Sequence, residues 1–281
     1  MTDPPSPPPP TTSTLPPGLT GPGGLWVVDL DGVVWLAGTP IGPVGASIDA
    51  LRAAGARVVF ATNNSAPTPT ELVERLHRAG VGATEADVVS SAHAAASLVA
   101  PGSTALVLGE EGVRRALADR GVELRTEGPV DAVVVGWCRT FDFDILATVS
   151  DAVRRGAVLI GTNEDPVHPT PGGLVPGTGA LLAAVATASR VRPVVAGKPH
   201  DALVALIRAR FGVGTTGGPT LVVGDQPSTD GRLAARLGVP FALVDSGVTA
   251  PGTEVDDVAV AVRAPDLVTL VDRLLGGPDV H

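Results

Sequence analysis

Residues 25–35 read LWVVDLDGVVW. Asp29 and Asp31 stand one residue apart, between the apolar Leu25, Trp26, Val27 and Val28 and the apolar Val33, Val34 and Trp35. A carboxylate is costly to bury unless it is paired or binds a metal, and two at this spacing repel each other. Three further polar clusters stand at the ends of apolar runs: Thr62-Asn63-Asn64-Ser65, Gly197-Lys198-Pro199, and Gly224-Asp225 followed by Thr229-Asp230. Their chemistries are complementary. Carboxylates hold a hard divalent cation, a Thr hydroxyl with Asn and free amides can bind phosphate oxygens, and a Lys supplies a compact positive charge. A metal ion and a nearby Lys would compensate Asp29 and Asp31.

Each cluster also has a plainer reading. Asp and Gly are turn residues, so DxDG, TNN, GKP and GD can each be a simple loop or a helix cap. Together, in this order, chance is a poor explanation for them.

The elements that must position these clusters alternate between strand-like and helical patterns. LWVVDL is followed by a helical stretch near residues 44–54, closed by Gly55, and then by RVVFATNN. In TPTELVERLHRAG, Thr68 can cap, Pro69 suits the first helical position, Glu71 completes a capping box and Gly80 ends the helix. STALVLG, EEGVRRALADRG, DAVVVGW, FDILATVSDAVRRG and AVLIGTN continue the alternation. RPVVAG, DALVALIRARFG, TLVVGD and a helix through Ala235 complete it. Such alternation indicates parallel α/β layers. In open parallel sheets, ligands bind beyond the carboxyl ends of the strands, where all four clusters fall.

Bulk properties narrow the function classes. The chain has 281 residues, 44% of them apolar and 17% charged, enough for a substantial core. A net charge of −9 and the lack of a Lys/Arg cluster argue against a nucleic-acid partner. Cys138 is the single cysteine, which leaves no disulfide framework or cysteine zinc cluster and suggests an inert buried thiol. No basic n-region with an apolar h-region opens the chain, and the uncharged stretches 4–28 and 171–189 are broken by Pro and Gly. A soluble, cytoplasmic protein with no membrane partner is therefore expected. Residues 1–24 hold nine of the 27 prolines, as expected of a disordered tail.

At these residues the chain resembles the haloacid dehalogenase superfamily, in its p-nitrophenylphosphatase-like branch. LWVVDLDGVVW, VVFATNNS, VVAGKP and LVVGDQPSTD are similar to that family's four motifs, and phrases such as LGEEGVRRAL and GTNEDPVHPTPGGLVPGTGALL extend the likeness. The resemblance implies a Rossmann-like parallel-sheet core with an inserted α/β cap domain. Thr62 and Lys198 are 136 residues apart, which leaves room for that insertion. The expected layout is a tail over 1–24, core over 25–100, cap over 101–190, core over 191–275 and a tail over 276–281.

The resemblance also implies an activity. It is that of an Mg²⁺-dependent phosphatase of small phosphorylated metabolites, working through an aspartyl phosphate. Asp29 would be the nucleophile and Asp31 the acid and base. Asp29, Asp31 (through its backbone carbonyl) and Asp225 would hold Mg²⁺, with Asp230 orienting a metal-bound water. Thr62, Asn63 and Lys198 would bind the phosphoryl group. Asn64 and His168 would select the substrate, and a homodimer through the cap is open. Where family members often carry an Arg after TNNS, this chain has Ala66-Pro67, and GDRLDTDI is replaced by GDQPSTDG, with Gln226-Pro227. These departures bear on the substrate more than on the chemistry.

Two readings compete. A dinucleotide-binding module is suggested by the GxG in PGTGALLAA (176–184), although Pro176 should spoil the preceding strand and no full G-x-G-x-x-G follows; a non-catalytic Rossmann-like binding protein is the other, against which the retention of Asp29, Asp31, Lys198 and Asp225 argues. For His168, the alternative is a polar loop turned by Pro166 and Pro169.

Overall fold

The computed structural model describes residues 15–170, 172–215 and 218–276. The chain divides into two compact units, one up to Val59 and again from Thr216, the other Phe60–Thr215.

In the first unit, β1 (Leu25–Val28) is buried along its whole length. A strand buried on both faces reads as a continuous apolar run. The strand stops short of the two carboxylates. Gly32 takes a left-handed φ of +85°, and the amides of Val33, Val34 and Trp35 all return to the Leu30 carbonyl. Val33 and Val34 are thus buried in a turn rather than in the strand that the apolar run suggests. A short hairpin follows, β2 (Trp35–Leu36) and β3 (Thr39–Pro40). Helix α1 (Val44–Ala53) buries Val44, Ile48 and Leu51, one face at helical spacing, and gives way at Gly55.

Within residues 15–24, read from composition as part of a disordered tail, one side chain is buried. Leu19 is 5% exposed, and its carbonyl accepts from the Trp26 indole at 2.8 Å. An apolar side chain within the Pro-rich stretch gives it something to bury, which the proline count did not weigh. Residues 1–14 and 277–281 of the expected tails lie outside the described residues.

The second unit opens with the end of β4 (Arg57–Thr62), a strand that crosses the division. Helix α2 (Pro69–Arg78) has the expected ends: Thr68 and Glu71 form a reciprocal capping box. Next, β5 (Val88–Ser90) pairs in parallel with β4, setting Thr62 beside Ser90. Helix α3 (Ser91–Ser97) follows. The chain then builds β6 (Thr104–Leu108), α4 (Glu111–Asp119), β7 (Glu123–Arg125), β8 (Ala132–Val135), α5 (Phe143–Arg154) and β9 (Val158–Gly161). A hairpin of β10 (Val167–Thr170) and β11 (Gly173–Pro176) leads into α6 (Thr178–Ser189). Then come β12 (Val194–Val195) and α7 (Asp201–Phe211).

A five-stranded parallel sheet runs in the order β12-β9-β8-β6-β7. Val133, Val135 and Leu159 of this sheet pack with Val149 and Val153 of α5 and with Leu182 and Val185 of α6. One sequence expectation changes here. Pro176 does not spoil a strand; it is the last residue of β11, paired with Val167, where a missing amide costs little. Val194 and Val195 pair with Ile160 and Gly161 of β9.

Back in the first unit, β13 (Thr220–Gly224) is fully buried. A π-helical turn at Pro227–Gly231 precedes α8 (Arg232–Leu237), and β14 (Phe241–Val244), β15 (Val262–Ala264) and α9 (Leu267–Leu274) complete the chain. The strands β1, β13, β14 and β15 are neighbours in that order and all parallel. The fold class is α/β, with a Rossmann-like parallel core sheet. Among the described residues no helix is long and apolar enough to cross a membrane.

Candidate active site

In the first unit, the register between β1 and β13 positions a group of carboxylates. Val28 stands beside Val223, so the residues that follow on each strand, Asp29 and then Gly224-Asp225, leave the sheet at the same end. The Asp29 amide donates to the Val223 carbonyl at 2.9 Å and continues the ladder one step past the strand. The π-helical turn brings Asp230 back to the same place: its amide donates to the Gln226 carbonyl, and its Oδ2 accepts from the Gln226 amide at 3.2 Å. As a result Asp29, Asp225 and Asp230 each offer a carboxylate oxygen, all within 4.8 Å of one another. They are 8%, 3% and 1% exposed. Three carboxylates buried this close together are suited to holding a cation.

Asp31 follows Asp29 by two residues in the turn after β1. Its Oδ1 accepts from the Trp35 indole at 2.9 Å, which fixes the carboxylate through a ring that is itself buried. Asp225 is held by the loop after β14, where the Val248 amide donates to its Oδ2 at 2.6 Å. The same loop sends the Ser246 hydroxyl to the Gly32 carbonyl. A Cβ on Gly32 would lie 2.4 Å from Asp225 Oδ2, and Gly32 also needs its left-handed φ, so only glycine suits the position. Trp35, Ser246 and Gly247 were not read from the sequence as site residues. The indole carries the one usable signal, four residues after Asp31; the loop acts through the Val248 amide, the Ser246 hydroxyl and the missing side chain of Gly247.

In the second unit, polar side chains gather at the end of β4 and on the loops after β4, β9 and β12. Thr62, 1% exposed, accepts from the Asn64 amide at 3.0 Å. Asn64 Oδ1 in turn accepts from the Ala66 amide, so this side chain closes its own turn. The Asn63 carboxamide accepts from the Lys198 amide at 2.7 Å and donates to the Lys198 carbonyl at 3.2 Å and to Asp165 Oδ2 at 3.1 Å. Lys198 is 3% exposed, and its ammonium donates to the Ala61 carbonyl at 3.1 Å. The Asn63 carbonyl accepts from both the Ser91 hydroxyl (2.6 Å) and the Asn163 carboxamide (2.8 Å). Ser65 Oγ accepts from the Thr162 hydroxyl at 3.0 Å. Thr-Asn recurs at 62–63 and 162–163, each at the end of a parallel strand.

His168 sits in β10, opposite Val175, and its ring lies 4.7 Å from the Trp137 ring. The indole of Trp137 donates to the Pro176 carbonyl at 3.0 Å, so Trp137 supports both strands of the hairpin. His168 is therefore on a paired strand and not in a simple solvated loop. The GxG at Gly177 and Gly179 does not offer a phosphate cradle: the two amides donate to the carbonyls of Pro166 and Asp165. Burial pushes the Cys138 thiol up, in keeping with an unreactive group.

Comparison with known proteins decides the family. Residues 26–123 match the family of haloacid dehalogenase-like hydrolases, and residues 195–274 match a HAD-hydrolase-like family. The chain is 37% identical over 250 residues to a D-glycerol 3-phosphate phosphatase of Mycobacterium tuberculosis, covering 86% of this chain and 68% of that protein. It is 33% identical over 247 residues to a 5'-nucleotidase of Bacillus subtilis, covering 87% and 95%. The crystal structure of the Mycobacterium tuberculosis glycerol phosphate phosphatase in complex with magnesium superposes with a TM-score of 0.80 at 33% identity, covering 90% of this chain and 78% of that one.

The chain belongs to the haloacid dehalogenase-like hydrolases.

The hydrolase is a phosphoric monoester hydrolase, and its cofactor is Mg²⁺. Its own residues fit that ion. The Asp29, Asp225 and Asp230 carboxylates are hard oxygen donors grouped closely enough for one small cation. The adjacent glycines keep the space around Asp225 open. Asp230, expected only to orient a metal-bound water, lies in this carboxylate group on the same footing as the other two.

Proposed function

We propose that this hydrolase cleaves small phosphorylated metabolites by covalent catalysis on Asp29. The observation that carries the reading is the buried carboxylate group at the ends of β1 and β13, with Asp31 two residues after Asp29 and hydrogen-bonded to the Trp35 indole. In the first step an Asp29 oxygen attacks phosphorus, the ester P–O bond breaks, and the leaving oxygen takes a proton from Asp31. In the second step Asp31 takes a proton from water, the water oxygen attacks phosphorus, and the bond to Asp29 breaks to release inorganic phosphate.

Thr62, the Asn63 backbone and Lys198 bind the phosphoryl group and offset the charge that builds on it. Asp29, Asp225 and the Asp31 carbonyl hold Mg²⁺, together with Asp230 directly or through water. When bound, Mg²⁺ supplies positive charge against the phosphoryl oxygens and the clustered carboxylates. Residues 101–190 act as the cap, inserted between core segments 25–100 and 191–275. Asn64 shapes the loop after β4, and His168, braced on Trp137, discriminates among leaving groups.

The relatives named for glycerol 3-phosphate and for nucleotides support a polyol or sugar phosphate or a nucleoside monophosphate as substrate. Phosphate release from a panel of such esters with Mg²⁺, compared between the native enzyme and Asp29→Asn, tests the reading. Equal release by both proteins would exclude it.

A further inference from the structure

We infer that the Asn63 side chain is a positioning residue for Lys198 and not a ligand of the phosphoryl group. This inference rests on the reading above that Lys198 binds the phosphoryl. The Asn63 carboxamide reads both backbone groups of Lys198, with Oδ1 accepting from its amide at 2.7 Å and Nδ2 donating to its carbonyl at 3.2 Å. The other hydrogen of Nδ2 has a partner too: Asp165 Oδ2 at 3.1 Å. A carboxamide has two donors and one acceptor oxygen. Both donors and the oxygen are engaged, which leaves no donor for a phosphate oxygen.

The packing agrees. A Cβ on Gly197 would lie 2.5 Å from Asn63 Oδ1 and 2.5 Å from the Thr162 carbonyl, so this approach requires a residue without a side chain before Lys198. Asp165 is locked as the third member. Its amide donates to Asn163 Oδ1 at 3.1 Å, its carbonyl accepts from the Gly179 amide at 2.9 Å, and Asn163 reaches back to the Asn63 carbonyl. The clamp therefore joins three loops around a lysine whose ammonium is already directed by the Ala61 carbonyl. Its function is to set where that ammonium stands, because a small misplacement of a charged group that stabilises a transition state is costly in rate.

The test is a double-mutant cycle read in kcat and KM for p-nitrophenyl phosphate and in inhibition by inorganic phosphate, with Mg²⁺ saturating. Asn63→Ala should lower kcat/KM roughly 10- to 100-fold, the usual reach of one or two buried hydrogen bonds. In a Lys198→Ala background the same change should cost less than about threefold, since its target is gone. Phosphate inhibition should weaken equally in Lys198→Ala and in the double variant. If the two losses multiply, the Asn63 side chain contacts the phosphoryl itself and the inference fails while the proposed function stands. If Lys198→Ala turns over at the native rate, both fail.

Asp165 supplies an independent arm should Asn63→Ala not fold. Asp165→Asn keeps an acceptor oxygen and should stay within about threefold of native, whereas Asp165→Ala should lose roughly tenfold through kcat. Equal losses in the two Asp165 variants would overturn the clamp, because charge rather than the hydrogen bond would then be at work.

Discussion

Gly247 lies against Asp225 so closely that a Cβ there would stand 2.0 Å from the carboxylate Oδ2. Gly224 has the same relation to Asp230, with a Cβ 2.2 Å from its carboxyl carbon. Neither carboxylate can move aside freely, since Asp225 is tied to the Val248 amide and Asp230 to the Gln226 amide. Gly247→Ala and Gly224→Ala should therefore damage cation binding. Titrating activity with Mg²⁺ should show half-saturation raised by about tenfold or more, roughly 1.4 kcal/mol of binding. An unchanged Mg²⁺ requirement with a lowered Tm would mean that these glycines serve folding alone.

Asp29→Asn should bring phosphatase activity to near background, since an amide oxygen is a poor nucleophile. Asp31→Asn should cost on the order of 10²–10⁴ in kcat, the usual share of general acid–base catalysis. Chelation of Mg²⁺ should silence the native enzyme, and readdition should restore it. Undiminished turnover in Asp29→Asn would falsify the covalent route.

His93 sets a pH limit on stability. Its Nδ1 accepts from the Ser90 amide at 3.1 Å at the start of α3, a contact that requires the nitrogen to be unprotonated. Burial, together with nearby Arg210, holds its pKa down to about 4 against the opposing pull of Asp119 and Glu85. The unfolded chain therefore binds the proton more readily. The contribution of this residue is intact above pH 6.5 and is lost as pH falls from about 6.5 to about 4, by up to roughly 3 kcal/mol. Carboxylates titrate in part of this range, so the readout is the difference between native protein and His93→Gln in urea midpoints across pH. Parallel curves would show that His93 is not the group responsible.

His168→Ala should alter the ranking of substrates by kcat/KM, with a loss of about 1–3 kcal/mol for an ester whose leaving group uses the imidazole. Small generic esters such as p-nitrophenyl phosphate should suffer less, and the Mg²⁺ requirement should persist. A common factor across all substrates would instead assign the Trp137–His168 contact to hairpin folding.

Leu19→Ala should destabilise the protein by about 2 kcal/mol, the lower end for a buried leucine, because its side chain is only 5% exposed. Removing residues 15–24 altogether should lower Tm further, since the Trp26 indole would lose the Leu19 carbonyl. Native thermal stability in that truncation would return this segment to the tail that its composition suggests.

The chemistry of the site was legible in residue types at the ends of apolar runs. Asp29, Asp225 and Asp230, which the structure groups, stood out because carboxylates at such places are costly without a partner or a cation. The ends of α2 were legible for a similar reason: Thr68, Pro69 and Glu71 act on backbone groups within one turn, and a local cause leaves a local trace. Parallel α/β layering followed from the alternation of patterns, which is set by which faces must be buried.

What the tertiary structure decided is everything that depends on a partner distant along the chain. The register of Val28 with Val223 makes neighbours of Asp29 and Asp225. The commitment of the Asn63 carboxamide to Lys198 and Asp165 is invisible from TNN, since a carboxamide can serve a phosphate or a backbone equally well. Trp35 reads as core until its indole is seen donating to Asp31, and Leu19 reads as tail until its side chain is seen buried. Residue type fixes which interactions a side chain can make; only the packing of segments far apart in sequence determines which of them it does make.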